Sequence, residues 1–90
     1  MKTFLIEREI PSIGQAGPDD LKGAATKSNE AIAKLEGKVA WKHSYVTDDK
    51  TFCIYEAEDE AAIKQHAELS GFPANKITEI GTVIDPSIGS

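Results

Sequence analysis

The strongest constraint on this chain is the order in which its apolar residues change period. Lys2 to Ile10 alternates, with Phe4, Ile6 and Ile10 to one side and Leu5, Glu7 and Glu9 to the other, as a strand requires. Pro11 to Pro18 is rich in Pro and Gly and reads as loop. Asp19 and Asp20 then supply carboxylates for a helix N-terminus, and Leu21, Ala24, Ala25, Ser28, Ile32 and Leu35 recur at helical spacing until Gly37. Lys38 to Thr47 and Thr51 to Ala57 return to period two around the turn Asp48-Asp49-Lys50, forming a hairpin. Glu58-Asp59-Glu60 opens a second helix with a stripe of Ala62, Ile63, Ala67 and Leu69 that closes at Ser70-Gly71, and Phe72-Pro73 forbids its continuation. Lys76 to Ile84 is a last strand.

The order is strand, helix, strand, strand, helix, strand. It predicts an α+β, ferredoxin-like βαββαβ domain in which two helices cover one face of a four-stranded antiparallel sheet. Residues 1–84 form that single domain, and residues 85–90 a C-terminal tail that frays. The fold hosts many unrelated functions and assigns none.

The hairpin decides which residues share a face. A three-residue loop pairs Thr47 with Thr51, Tyr45 with Cys53 and His43 with Tyr55, and a two-residue loop shifts the register and mixes the faces. The three-residue reading segregates the residues cleanly. It expects Trp41, His43, Tyr45, Cys53 and Tyr55 on the face away from the helices, with Val46, Phe52 and Ile54 toward them. An aromatic surface of that kind invites association, and a second copy's sheet is the simplest cover. The expected partner is therefore the chain itself, as a homodimer. Glu7 and Glu9 point into the same space, so the facing sheets enclose a small-molecule pocket walled by Trp41, Cys53, Glu7 and Glu9.

Composition narrows the classes. The chain of 90 residues carries 10 basic and 15 acidic groups, and the basic ones do not cluster, which disfavours nucleic acid and anionic membrane as partners. Its one cysteine excludes an internal disulfide. Glu7, Arg8 and Glu9 interrupt the first apolar run, so it is no signal sequence, and the expected location is the cytoplasm.

Four groups carry chemistry. His43 is a candidate general base or metal ligand, against a structural role at an interface. His66 lies on the second helix without a second helical ligand at metal spacing, so it is a lone ligand or a packed imidazole. Cys53 sits mid-strand, where an inert thiol is the ordinary outcome. Glu7 and Glu9 are paired acids or oxygen ligands, against a solvated edge or ion pairs with Arg8 or a lysine. Gly14, Gly17 and Gly23 do not space as a phosphate loop.

Three stretches are familiar. Trp41-Lys42-His43-Ser44-Tyr45-Val46-Thr47-Asp48-Asp49-Lys50 leads into Cys53-Ile54-Tyr55-Glu56-Ala57. His66-Ala67-Glu68-Leu69-Ser70-Gly71-Phe72-Pro73-Ala74-Asn75-Lys76-Ile77 ends the second helix, and Glu7-Arg8 closes the first strand. Together they resemble a family of small bacterial proteins catalogued as a domain of unknown function. The resemblance implies a dimeric α/β barrel built from ferredoxin-like protomers. One branch of that family is nickel-binding, which implies nickel or another divalent metal as cofactor and His43, His66, Glu7 and Glu9 as its ligands. The residues are matched by type and position, and they suit zinc or copper equally.

Three functions follow as expectations. The leading one is a homodimeric binding protein for a divalent metal or a small ligand. The second is a cofactor-free enzyme, of oxygenase or isomerase type, acting on a small aromatic or lactone-like compound, with His43 as base and Tyr45 or Tyr55 orienting substrate. The third is a structural or interaction module in which the aromatic face is only dimer core. Whether the chain is an enzyme stays open.

Overall fold

The computed structural model describes residues 1–89. Its elements are β1 (Lys2–Glu9), α1 (Pro18–Lys34), β2 (Val39–Val46), β3 (Lys50–Ala57), α2 (Glu60–Ser70) and β4 (Lys76–Ile80), with short 3-10 turns at Ile13–Gln15 and Pro86–Gly89. The strands form one sheet in the order β2-β3-β1-β4, antiparallel throughout. This is the ferredoxin-like βαββαβ arrangement.

β1 and β3 occupy the centre, and both alternate strictly in burial. Phe4, Ile6 and Arg8 of β1 and Thr51, Cys53, Tyr55 and Ala57 of β3 are buried. The core gathers Phe4, Ile6, Leu35, Val39, Cys53, Tyr55, Ala57, Ala62 and Ile63 between the sheet and the helices. Leu5, Glu7, Phe52 and Ile54 alternate onto the opposite, open face and are only half-buried.

This arrangement corrects the expected distribution of rings. Tyr55, Cys53 and Trp41 face the helices, while His43 and Tyr45 face outward with Phe52 and Ile54. Two features of the hairpin cause it. The loop is the two-residue type: Thr47 N–H donates to Lys50 O at 2.9 Å, so only Asp48 and Asp49 lie between them. The register is Val46 with Thr51, Ser44 with Cys53, Tyr45 with Phe52 and His43 with Ile54. A bulge between Trp41 and His43 then admits Lys42 as an extra residue and reverses the parity of β2, leaving Val39 and Trp41 on the helix side before it and Ser44 and Val46 after it. On the outer side, Lys42 Nζ meets Glu56 Oε1 at 2.6 Å.

The ends of the elements follow local chemistry. Pro18 starts α1, and the Asp20 carboxylate accepts from the Gly17 N–H at 3.2 Å. α2 begins after Asp59 rather than at Glu58, because the Asp59 side chain accepts from the Ala62 N–H at 2.9 Å. Gly71 ends α2 at φ 77°, the left-handed conformation that favours glycine. β4 stops at Ile80, short of the expected Ile84: Ile80 pairs with Thr3, and β1 starts only one residue earlier, so a longer β4 soon runs out of partner. Val83 and Ile84 are exposed, and the last residue of the expected tail, Ser90, lies outside the described residues. No helix among the described residues is long and apolar enough to cross a membrane.

Candidate ligand cavity between α1 and the sheet

The inner face of the sheet is incompletely filled. A cavity of about 260 Å³ lies between α1, the loop after β1 and the inward residues of β1, β2 and β3. Its wall is largely apolar: Ile10 and Ile13 come from the loop, Leu21, Ala24 and Ala25 from α1, and Phe72 from the turn after α2. The small alanines of the α1 stripe leave the space open. Trp41 closes one side, stacked on Tyr55 with centroids 6.3 Å apart, and its indole Nε1–H donates to Ser44 Oγ at 3.0 Å.

The loop that helps line the cavity is tied to the hairpin. Ile10 N–H donates to Asp49 O and Gly14 N–H to Asp48 O, each at 2.9 Å, and Ser12 N–H donates to the Asp49 carboxylate at 2.8 Å. Gly14 approaches so closely that a Cβ there would lie 2.7 Å from Asp48 Cα. Asp49 thus anchors this loop in addition to shaping its own turn.

Two polar features are sealed into the inner layer. The first is a hydrogen-bonded chain across three elements. Ser28 Oγ on α1 lies 3.0 Å from Tyr55 Oη on β3 and 3.0 Å from His66 Nε2 on α2. His66 is fully buried and its Nδ1 has no partner. A buried orphan N–H costs more than an orphan lone pair, so the proton belongs on Nε2, which donates to Ser28 Oγ. Burial, reinforced by the positive charge of Arg8, lowers the His66 pKa from 6.5 to about 4, so the imidazole is neutral at physiological pH. Burial raises the Tyr55 phenol above its ordinary 10.0, against smaller opposing effects of Ser28 and Arg8.

The second feature is Arg8. It alternates with Phe4 and Ile6, which carries its guanidinium to the helix side of the sheet, where only 2% of the residue remains exposed. Nη1 donates to the Pro73 carbonyl at 2.8 Å, and the guanidinium carbon sits 5.8 Å from the Tyr55 ring centroid. Nη2 makes no hydrogen bond, and none of the ion pairs among the described residues includes Arg8.

The residues singled out from the sequence divide between the two faces. Trp41, Cys53 and Tyr55 line the cavity, and Glu7 and Glu9 do not. Glu7 lies on the open face with an oxygen 4.0 Å from Lys50 Nζ, and Glu9 is exposed at the strand end. His43 and Tyr45 meet edge-to-face on the open side at 5.1 Å. The arrangement of His43 as base beside Tyr55 is therefore not assembled within one chain. Nor are His43, His66, Glu7 and Glu9 gathered: among the described residues no three His, Cys, Asp or Glu side chains come together to hold a metal ion. The donors that the described residues of one protomer supply do not fit a metal centre. Arg8 and Ser28, which build the polar part of the inner layer, were not among the expected site residues. The signal for Arg8 was its parity with Phe4 and Ile6; Ser28 stood in the apolar stripe of α1.

Comparison with known proteins places this geometry. A search of curated proteins returns no match. The crystal structure of SCO4226 from Streptomyces coelicolor A3(2) superposes with a TM-score of 0.77 over 91% of this chain and 99% of that one, at 16% identity, a likeness of fold. Residues 4–80 match the family described as nickel responsive protein SCO4226-like, a span that takes in both helices and all of the sheet but the first two residues of β1, and the chain belongs to that family.

Proposed function

We propose that this chain is a small-ligand-binding protein that works as a homodimer, with its ligand held in the cavity beneath α1. The observation that carries the reading is the cavity itself: an apolar space lined by Trp41, Cys53 and Tyr55, with a fixed polar chain behind it and a buried cation in its wall. Small-molecule sites have this composition, mostly apolar with a few convergent polar groups. The open face supports pairing of two copies. Its centre is apolar, with Leu5, Phe52 and Ile54, Ile80 extends it at the β4 edge, and its rim carries the pairs Lys42–Glu56 and Glu7–Lys50. Such a patch, with both charge signs at the rim, is self-complementary about a twofold axis. The test uses Trp41, the single tryptophan. Titration with phenylacetamide, an uncharged one-ring probe, is expected to change its fluorescence saturably, and Ala25→Phe, which fills the cavity from α1, is expected to abolish the change. An unsaturable response, or one that survives Ala25→Phe, removes the reading.

A second reading draws on the family description. Nickel(II) accepts imidazole and oxygen donors. Since the donors of one chain do not gather, the reading is an ion held between copies, with His43 contributed from the open face. Calorimetric titration with nickel and zinc is expected to show saturable binding that His43→Ala loses and His66→Ala keeps. Binding indifferent to His43→Ala sinks it.

A further inference from the structure

Arg8 is the least explained group in the molecule. A buried guanidinium is costly unless its charge is met, and this one has a carbonyl on Nη1, a ring near its face and nothing on Nη2. The residues around the cavity include no aspartate or glutamate. Among the described residues, the protein therefore buries a cation beside an apolar space and supplies no counter-charge to it. A folded chain retains that kind of deficit where something else completes it.

We infer that the cavity ligand is a small monocarboxylate with an apolar body, its carboxylate drawn to the Arg8 guanidinium in the wall and its body lying against Ile13, Leu21, Trp41 and Phe72. This deepens the cavity reading and rests on it. Size supports the class. A volume of about 260 Å³ equals the liquid share of about nine waters and falls just below the usual range of drug-sized pockets. It suits a one-ring or short-chain acid and excludes a nucleotide. Chemistry supports it as well. One arm of the guanidinium is committed to Pro73, and its single positive charge matches a single carboxylate better than a polyanion. The neutral His66 adds no second charge, and the Ser28 hydroxyl is occupied by Tyr55 and His66.

The experiment compares phenylacetate with phenylacetamide, which share shape and differ in charge, by Trp41 fluorescence on the whole protein. The wild-type chain is expected to prefer the acid by roughly ten- to a hundredfold, the worth of a hydrogen bond to a charged group. Arg8→Met, which keeps the side chain's length and removes its charge, is expected to bring the ratio to near one while still binding the amide. Equal affinity for the two probes in the wild type overturns the inference and leaves the cavity reading standing. Failure of both probes to bind overturns both. A preference for the acid that persists in folded Arg8→Met also overturns the assignment to Arg8. The wild-type ratio needs no variant, so a misfolded Arg8→Met does not spare the inference.

Discussion

Lowering the pH probes the buried state of His66 directly. Its side chain is fully buried, and its pKa falls from 6.5 to about 4 through burial first and the Arg8 charge second. The unfolded chain therefore takes up a proton near pH 6.5 that the folded chain refuses until about pH 4. Between those values the unfolded state holds more protons, so stability rises with pH. The contribution is fully present above pH 6.5 and is lost as the pH falls through 6.5 toward 4. Two-state linkage with these values sets the loss at up to about 2 kcal/mol between about pH 7 and about pH 4.5, less where water enters the opened core. Of the other acids that the fold displaces, Glu56 enters only at the acid end of the window, and equally in the two proteins compared below. Lys42 lowers Glu56 below its ordinary 4.5, Ser87 lowers Asp85 below 3.8, and Tyr55 titrates above 10.0. The assay is urea unfolding followed by Trp41 fluorescence across this range, for the wild-type chain and for His66→Gln, which preserves an amide donor toward Ser28 and cannot titrate. The wild type is expected to lose stability toward low pH, and the variant to stay nearly flat. Wild-type stability constant within about 0.5 kcal/mol, or equal slopes in the two proteins, would refute the buried neutral imidazole.

Two further perturbations test how the cavity wall and the second helix are held. Gly14→Ala places a methyl group 2.7 Å from Asp48 Cα and 2.8 Å from Thr47 O, both backbone atoms, so the loop must lift from the hairpin. A loss of about 1–3 kcal/mol is expected in chemical denaturation. Gly23→Ala in α1, where nothing lies within 4 Å of the added carbon, should instead gain about 0.5–1 kcal/mol. Equal effects at the two glycines would show that the loop is not docked. Asp59→Ala removes the acceptor of the Ala62 N–H and is expected to cost about 1 kcal/mol by the same measurement. No change would mean that water satisfies the amide equally well.

Element order was legible because each element carries its own period: Phe4 and Ile6 against Leu5 and Glu7, or Ala62 and Ile63 in α2, require no knowledge of neighbours, although the buried side of α2 continues through His66 and Ser70 rather than the expected Ala67 and Leu69. The faces of β2 were not. Period two assigns residues of one strand to two sides, and says nothing about which side meets the helices. That choice passes through the hairpin register, and register depends on one loop residue and one bulge. Thr47, Lys50 and the extra Lys42 decide it, and neither the two-residue turn nor the bulge carries a glycine or proline to announce it. β4 was overrun for a related reason: Gly81 to Ile84 has strand-like residues, while the stopping point belongs to β1, whose own start leaves little to pair with beyond Thr3.

Arg8 shows how a polar residue in a strand can be weighed once register is known. Alternation put it with Phe4 and Ile6, but the sequence offered it only as an ion-pair partner for Glu7 or Glu9. The structure gives it another place. β1 continues to Glu9, Arg8 pairs with Thr51 at the centre of the sheet, and Pro73 after α2 brings a carbonyl down onto Nη1. An aliphatic residue at this position would fill the layer without the desolvation cost of a charge, and buried ion pairs replaced by apolar groups are often no less stable. On the proposed reading, recognition rather than stability accounts for an arginine beside an uncharged cavity. If Arg8→Met proves as stable as the wild type or more so while losing its preference for acids, the arginine is held for its ligand. If it lowers stability while the folded protein keeps the same preference for acids, the guanidinium belongs to the core and another group selects the ligand.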